Sequence, residues 1–208
     1  PSGVPFGRLM ENTRAQVRQH SKESLRLRLV KALFLRGALP YPWRLKVGAR
    51  LLRIYQRWGF RAMLRLSRLM NLLLGQIAEL EAGLPTVSGR FFEPRLDIYR
   101  AEVRGTGIVV GLLSGCVMPL VQGPTMEATV RGLNRNGVDV AVPMGQGCCG
   151  ALNLHGGDME MARRMARRNI DVFLDAGVEK IIVASAGCGS TMKEYPDLLR
   201  DDLQYREK

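Results

Sequence analysis

Apolar residues recur at steps of three and four in the first part of the chain and gather into short unbroken runs in the second. A helical repeat and a buried-strand pattern leave these two signatures. Leu25, Leu29, Ala32 and Leu33 fall at helical spacing, predicting a helix over residues 8–36, and Gly37 and Pro40-Tyr41-Pro42 break it. A second helical region is expected from about Arg44 to Glu81, with an interruption near Gly59 or Gly75. Val47, Leu51, Ile54, Trp58, Ala62, Leu66, Leu69 and Leu73 form its apolar line. Beside that line runs a basic one, Lys46, Arg50, Arg53, Arg57, Arg61, Arg65 and Arg68, so the layer is amphipathic.

Pro85, Gly89, Pro94 and Gly105 punctuate a connector, after which the rhythm changes. Ile108 to Leu113, Val138 to Val142 and Lys180 to Ala184 are apolar runs of buried-strand type. Residues 124–136 read as a helix. A longer one starts at Asp158 and stops near Gly177, the usual punctuation of a cap before and a glycine after. Strand, helix, strand, helix, strand with short connections implies a parallel sheet flanked by helices. The expected class is therefore α/β: a basic helical region over residues 1–82, a linker over 83–105, and a parallel-sheet domain over 106–208.

Charge sharpens this division. Of the net +12, residues 1–104 carry 20 Lys/Arg against 7 Asp/Glu, whereas residues 105–208 carry 11 against 12. Only the first half has an electrostatic partner to explain. No uncharged apolar run approaches the ~20 residues of a membrane-spanning helix, and the start does not read as a secretory signal. The four cysteines do not suggest a disulfide-stapled secreted domain. Two of them are neighbours, between which a disulfide is geometrically awkward. A reducing, cytoplasmic setting with metal-bound thiolates fits better, the bland alternative being cysteines that are simply buried.

Placement of the cysteines carries the chemistry. Cys116 follows the first strand, Cys148 and Cys149 the second, and Cys188 the third. Carboxyl ends of parallel strands share one edge, where ligands of such sheets bind, so these sites are expected to converge. Gly115, Gly147, Gly150, Gly187 and Gly189 flank them and let backbone N–H groups approach sulfur. Four thiolates suit an iron–sulfur cluster or zinc. Structural zinc sites usually carry C-x2-4-C knuckles, which this chain lacks, and adjacent thiolates bind two different irons more readily than one zinc. Cys116, Cys148, Cys149 and Cys188 are thus the expected cluster ligands, with no catalytic acid–base residue among them.

Gly115-Cys116-Val117-Met118-Pro119, Gln146-Gly147-Cys148-Cys149-Gly150 and Ala186-Gly187-Cys188-Gly189 resemble the cysteine-rich "CCG" domain. That domain occurs in heterodisulfide reductase and in the iron–sulfur subunit of glycolate oxidase. Residues 168–171 and 193–195 are most similar to the latter. The resemblance implies a cluster of 4Fe-4S type and electron transfer from an FAD-containing flavoprotein partner to a membrane acceptor. It also implies that Pro1 follows a ferredoxin-like part and that a second CCG repeat begins after Lys208. One departure stands out: the fuller motif closes with C-x-x-C, and here Thr191 takes the place of the closing cysteine.

His155 is expected to be structural or solvent-facing, with a role beside the cluster as the sharper alternative. Gln146 and Asn153 are candidate amide donors to sulfur, and Lys193 and Glu194 a charge pair that either contacts substrate or stays solvated. The basic line reads either as a solvated face or as a docking strip for an acidic partner or for anionic lipid at the inner face of the membrane. Nucleic acid is not expected, since aromatic platforms are sparse. The leading expectation is an electron-transfer subunit of a glycolate-oxidase-like 2-hydroxy-acid dehydrogenase. The alternatives are a lactate-utilisation, anaerobic glycerol-3-phosphate dehydrogenase or heterodisulfide-reductase-like subunit, or a zinc-stabilised interaction module that is not an enzyme.

Overall fold

A computed structural model describes residues 6–20, 24–57, 83–103 and 107–207. Three parallel strands lie in the order β2-β1-β3: β1 (Val109–Leu113), β2 (Asp139–Ala141) and β3 (Lys180–Val183). Val110 stands opposite Val140 on one side and Lys180 on the other. The expected α/β class and parallel sheet are what the chain forms, with strands one or two residues shorter than their apolar runs. β1 is central and buried from Val110 to Leu113, the fate of a strand covered on both faces.

Helices cover the sheet on both sides. On one side α4 (Met118–Val121) and α5 (Gly123–Arg135) place Met126 and Val130 over Val110, Leu112, Val140 and Val142. Phe92 and Tyr99 complete this core, and Tyr99 exchanges backbone hydrogen bonds of 2.9 Å with Val140, extending the sheet at β2. On the other side, after α6 (Ala151–His155), runs α7 (Met159–Asp175), whose Phe173 packs with Leu113, Ala141, Cys149 and Val178. The helix lies so close to β1 that a Cβ on Gly111 would stand 2.7 Å from Phe173 Cδ1. Beyond β3 follow α8 (Ala186–Lys193) and α9 (Tyr195–Leu198).

The N-terminal residues do not form the single helix expected over 8–36. They form α1 (Phe6–His20) and α2 (Leu25–Lys31), and α2 runs into a π-helical segment at Ala32–Ala38. The Ser24 side chain accepts from Leu27 N–H and starts α2, a cap that the apolar spacing alone passes over. α3 (Pro42–Arg57) covers the first part of the second helical region; the interruptions expected at Gly59 and Gly75 lie outside the described residues. Among the described residues no helix is long and apolar enough to cross a membrane.

These helices pack on the sheet domain. Leu39, fully buried, and the half-buried Leu35 and Leu45 pack with Cys148, Met161 and Met165. Asp158 receives Arg36 Nε at 2.6 Å, Arg36 Nη2 at 2.9 Å and Arg18 Nη2 at 3.2 Å. Asn153 Nδ2 donates to Leu35 O at 3.1 Å and Arg168 Nη1 to Pro40 O at 2.9 Å.

Candidate cluster-binding site

The four cysteines meet at the carboxyl edge of the sheet. Cys116 lies two residues before α4, Cys148 and Cys149 just before α6, and Cys188 in the first turn of α8. Their thiols form a hydrogen-bonded chain, Cys116 to Cys148 to Cys149 to Cys188. All four line a cavity of about 220 Å³ walled by Leu113, Val117, Met118, Leu152 and Val183. One water occupies roughly 30 Å³ of liquid, so the hollow admits a group well beyond a single ion. Cys148 and Cys149 are 3% and 2% exposed, whereas Cys116 and Cys188 are half-buried.

Backbone dipoles converge on the sulfurs. Gly150 N–H approaches Cys148 Sγ at 3.5 Å, Val117 N–H faces Cys116, and Ala151 N–H faces Cys149. Gly150 adopts φ +89°, a left-handed conformation that a residue with a Cβ resists, and this turn presents its N–H to sulfur. Ser185 adds a side-chain hydrogen bond to Cys188.

Crowding spreads the thiol acidities. Cys116 is lowered because it accepts from Cys148. Donating that bond and losing water push Cys148 up to about 12. Cys149 rises to about 11, first through its hydrogen bond to Cys148 and then through burial, and Cys188 rises well above the ordinary thiol range through its bond to Cys149. Four thiolates in one poorly hydrated hollow repel one another, and positively charged metal would relieve this by taking them deprotonated. Among the described residues no three His, Cys, Asp or Glu side chains gather as a site for a metal ion. All four thiols line the wall of one cavity, a donor set that fits a polynuclear group.

Several side chains hold this edge that the sequence reading did not single out. Asn169 projects from α7 at 1% exposure, accepts Gly147 N–H at 3.0 Å, and donates Nδ2 to Cys148 O at 3.1 Å and to Tyr195 Oη at 3.3 Å. Tyr195 donates its hydroxyl to Cys149 O at 2.8 Å. The cysteine pair is thus fixed through both its carbonyls. A polar residue on the apolar face of α7, among Met161, Met165, Ala166 and Phe173, was the signal that could have found Asn169.

Gln146 and Asn153 do not donate to sulfur as expected. Gln146 Nε2 donates to Leu112 O and Pro143 O while its Oε1 accepts Ser114 N–H at 2.7 Å, so it ties the loops after β1 and β2. Asn153 spends its amide N–H on Leu35 O. His155 takes its structural role: it is half exposed and its Nδ1 pairs with Glu11 Oε1 at 3.0 Å. Lys193 and Glu194 line two other hollows, neither of which has a cysteine in its wall. Thr191 is 1% exposed, and its hydroxyl lacks a hydrogen-bond partner among the described residues. Of the basic line, Lys46 pairs with Glu93 at 2.8 Å, and Arg61, Arg65 and Arg68 lie outside the described residues.

The fold and site define a cysteine-rich α/β domain, and a family model described as "CCG: Cysteine-rich domain" matches residues 110–193. A second, described as "Glycolate oxidase iron-sulfur subunit, linker region", matches residues 26–84. In both segments the chain is similar to glycolate oxidase iron–sulfur subunits. It is 31% identical over 208 residues to a probable glycolate oxidase iron–sulfur subunit of Bacillus subtilis, covering 100% of this chain and 47% of that protein. It is 30% identical over 211 residues to the glycolate oxidase iron–sulfur subunit of Escherichia coli, covering 100% of this chain and 46% of that protein. Lactate utilization protein A of Bacillus licheniformis is 35% identical over 99 residues, covering 48% of this chain and 41% of that protein. The chain spans about half the length of the two glycolate oxidase subunits it matches. No solved structure matches it.

Proposed function

We propose that this chain is the linker and cysteine-rich part of an electron-transfer subunit in a glycolate-oxidase-like complex, with Cys116, Cys148, Cys149 and Cys188 holding an iron–sulfur cluster of 4Fe-4S type. The carrying observation is that four thiols from the ends of three parallel strands line one cavity, with backbone N–H groups turned toward their sulfurs. Such N–H contacts tune the potential of a cluster, which supplies one-electron transfer when bound. In this reading the protein's share is positional. Asn169 and Tyr195 fix the backbone of the cysteine pair, Gln146 ties the two flanking loops together, and Leu39 keeps water from the buried side. Oxidation of the 2-hydroxy acid belongs to an FAD-containing flavoprotein partner, and the electrons leave for an acceptor at the inner face of the membrane. The names of the two relatives that match this chain over its whole length support the complex proposed.

Iron and sulfide quantitation on anaerobically purified protein, with paramagnetic resonance after reduction, tests the cluster. Stoichiometric iron and sulfide, a broad visible absorption and a resonance signal lost in Cys→Ser variants at these four positions are expected. Colourless protein holding one zinc, or no iron above background after reconstitution, sinks the proposal. Co-purification of a flavoprotein that reduces the cluster with a 2-hydroxy acid tests the complex.

A further inference from the structure

Helix α3 shows two faces of different character. One turns inward: Leu45 packs near Cys148, and Gln56 donates to Pro85 O and accepts Val87 N–H, both at 3.0 Å. On the other, Trp43, Val47, Leu51 and Ile54 are 62%, 46%, 63% and 50% exposed. At 3.6 residues per turn these four fall within about 80° of arc, a continuous apolar stripe. Lys46, Arg50, Arg53 and Arg57 occupy the adjoining ~60°, along one border of that stripe. Upstream, Leu25, Leu29 and Leu33 repeat the motif at 71%, 61% and 75% exposure, with Arg26, Arg28 and Lys31 interleaved.

The charge distribution says what covers such a surface. Residues 24–78 hold 12 Lys/Arg and no Asp or Glu, while the rest of the chain holds 19 of each. The entire net charge of +12 therefore sits in the segment that carries the exposed apolar stripes. A solvated face would intersperse acids to relieve like-charge repulsion between residues three and four apart. A stripe of large apolar side chains with an indole, bordered by long cationic side chains, instead matches the boundary between acyl chains and anionic headgroups. Lysine and arginine reach the headgroups while their stems cover the apolar layer.

We infer that α3 lies in the plane of an anionic phospholipid surface, Trp43, Val47, Leu51 and Ile54 entering the acyl boundary and Arg50, Arg53 and Arg57 contacting headgroup phosphates. This deepens the proposed function, resting on it only for the location of the electron acceptor. Because Leu45 on the opposite face packs near Cys148, docking by the outer face brings the cysteine site to the membrane without inserting it.

Co-sedimentation of the intact protein with vesicles tests this. Phosphatidylcholine vesicles containing phosphatidylglycerol are expected to pellet it, pure phosphatidylcholine to leave it in solution, and high salt to release it. Arg50→Gln with Arg53→Gln is expected to weaken partitioning roughly thirtyfold, and Leu51→Gln to weaken it without changing the salt dependence. Arg50 and Leu51 are exposed and Arg53 is half-buried, and circular dichroism is the check that the variants fold. Equal binding to neutral and anionic vesicles, no binding to either, or variants that bind like the parent overturns the inference. Iron content and visible absorption of the same samples report separately on the cluster. Colourless protein that still pellets with anionic vesicles fails the cluster reading alone, and iron-loaded protein that stays in solution fails the membrane inference alone.

Discussion

Arg36 grips Asp158 across 122 residues of sequence, with Nε on Oδ2 at 2.6 Å and Nη2 on Oδ1 at 2.9 Å. Asp158 also caps α7 by accepting Met161 N–H, so one carboxylate starts a helix of the sheet domain and holds the N-terminal helices against it. Burial alone would raise its pKa, but the Arg36 hydrogen bonds and the charges of Arg18 and Arg36 outweigh burial and hold it below the usual range.

Replacing Asp158 by Ala is expected to lower stability by about 2–3 kcal/mol, the loss of a cap and of charge-assisted hydrogen bonds. Chemical denaturation measures it. The pH sign follows from the depressed pKa: the pairing stabilises fully above the ordinary carboxyl value and is lost as pH falls through the folded-state value. The gap between the parent and Asp158→Asn should therefore be widest near neutral pH and shrink below about pH 4.

Asn169 gives the next expectation. Asn169→Ala leaves Gly147 N–H and Cys148 O without their buried partner and frees one side of the Tyr195 hydroxyl. A cost of about 2–4 kcal/mol is expected, together with faster loss of bound iron to a chelator. Tyr195→Phe removes the bond to Cys149 O and the one accepted from Asn169 Nδ2 but keeps both contacts of Asn169 to the cysteine loop, and should fall between this variant and the parent in both measurements. Equal iron retention in all three proteins would show that the clamp serves folding alone.

Much of the sheet domain was legible because buried parallel strands read as unbroken apolar runs, and a topological rule then sends their carboxyl ends to one edge. Cys116, Cys148, Cys149 and Cys188 needed nothing more to converge. The packing of Leu39 on Cys148 was not legible, since it joins segments far apart through contacts that leave no local periodicity. Nor was the π-helical turn at Ala32–Ala38, where the chain widens its helix while seating Leu35 and Leu39 against the domain. The amides of Gln146 and Asn153 were misread for a different reason. An amide donor serves any nearby acceptor, and the closeness of Leu112, Pro143 and Leu35 carbonyls decided their bonding.

Close packing at Gly111 permits a steric test. An added Cβ would stand 2.7 Å from Phe173 Cδ1 and 2.9 Å from Val178 Cγ2, too near for any side-chain carbon. Gly111→Ala is expected to destabilise by about 1–3 kcal/mol as α7 is pushed from β1. Adding Phe173→Leu should recover part of this loss, since the smaller side chain opens the space. Thermal unfolding of both variants checks the recovery.

Leu39 closes the inner side of the cysteine site from the linker segment, fully buried against Cys148, Met161 and Met165. Leu39→Ala would open a cavity beside the sulfurs and lower stability by about 2–4 kcal/mol. Water or a less apolar wall near the cluster favours its more highly charged state, so the midpoint potential should shift along with stability. Leu39→Met, which conserves volume, should restore both to near the parent value. Protein-film voltammetry beside denaturant titration separates the two effects. A variant destabilised as expected with an unmoved potential would reduce Leu39 to a packing residue, whereas a joint shift reversed by methionine would make the linker segment part of the electronic environment of the site.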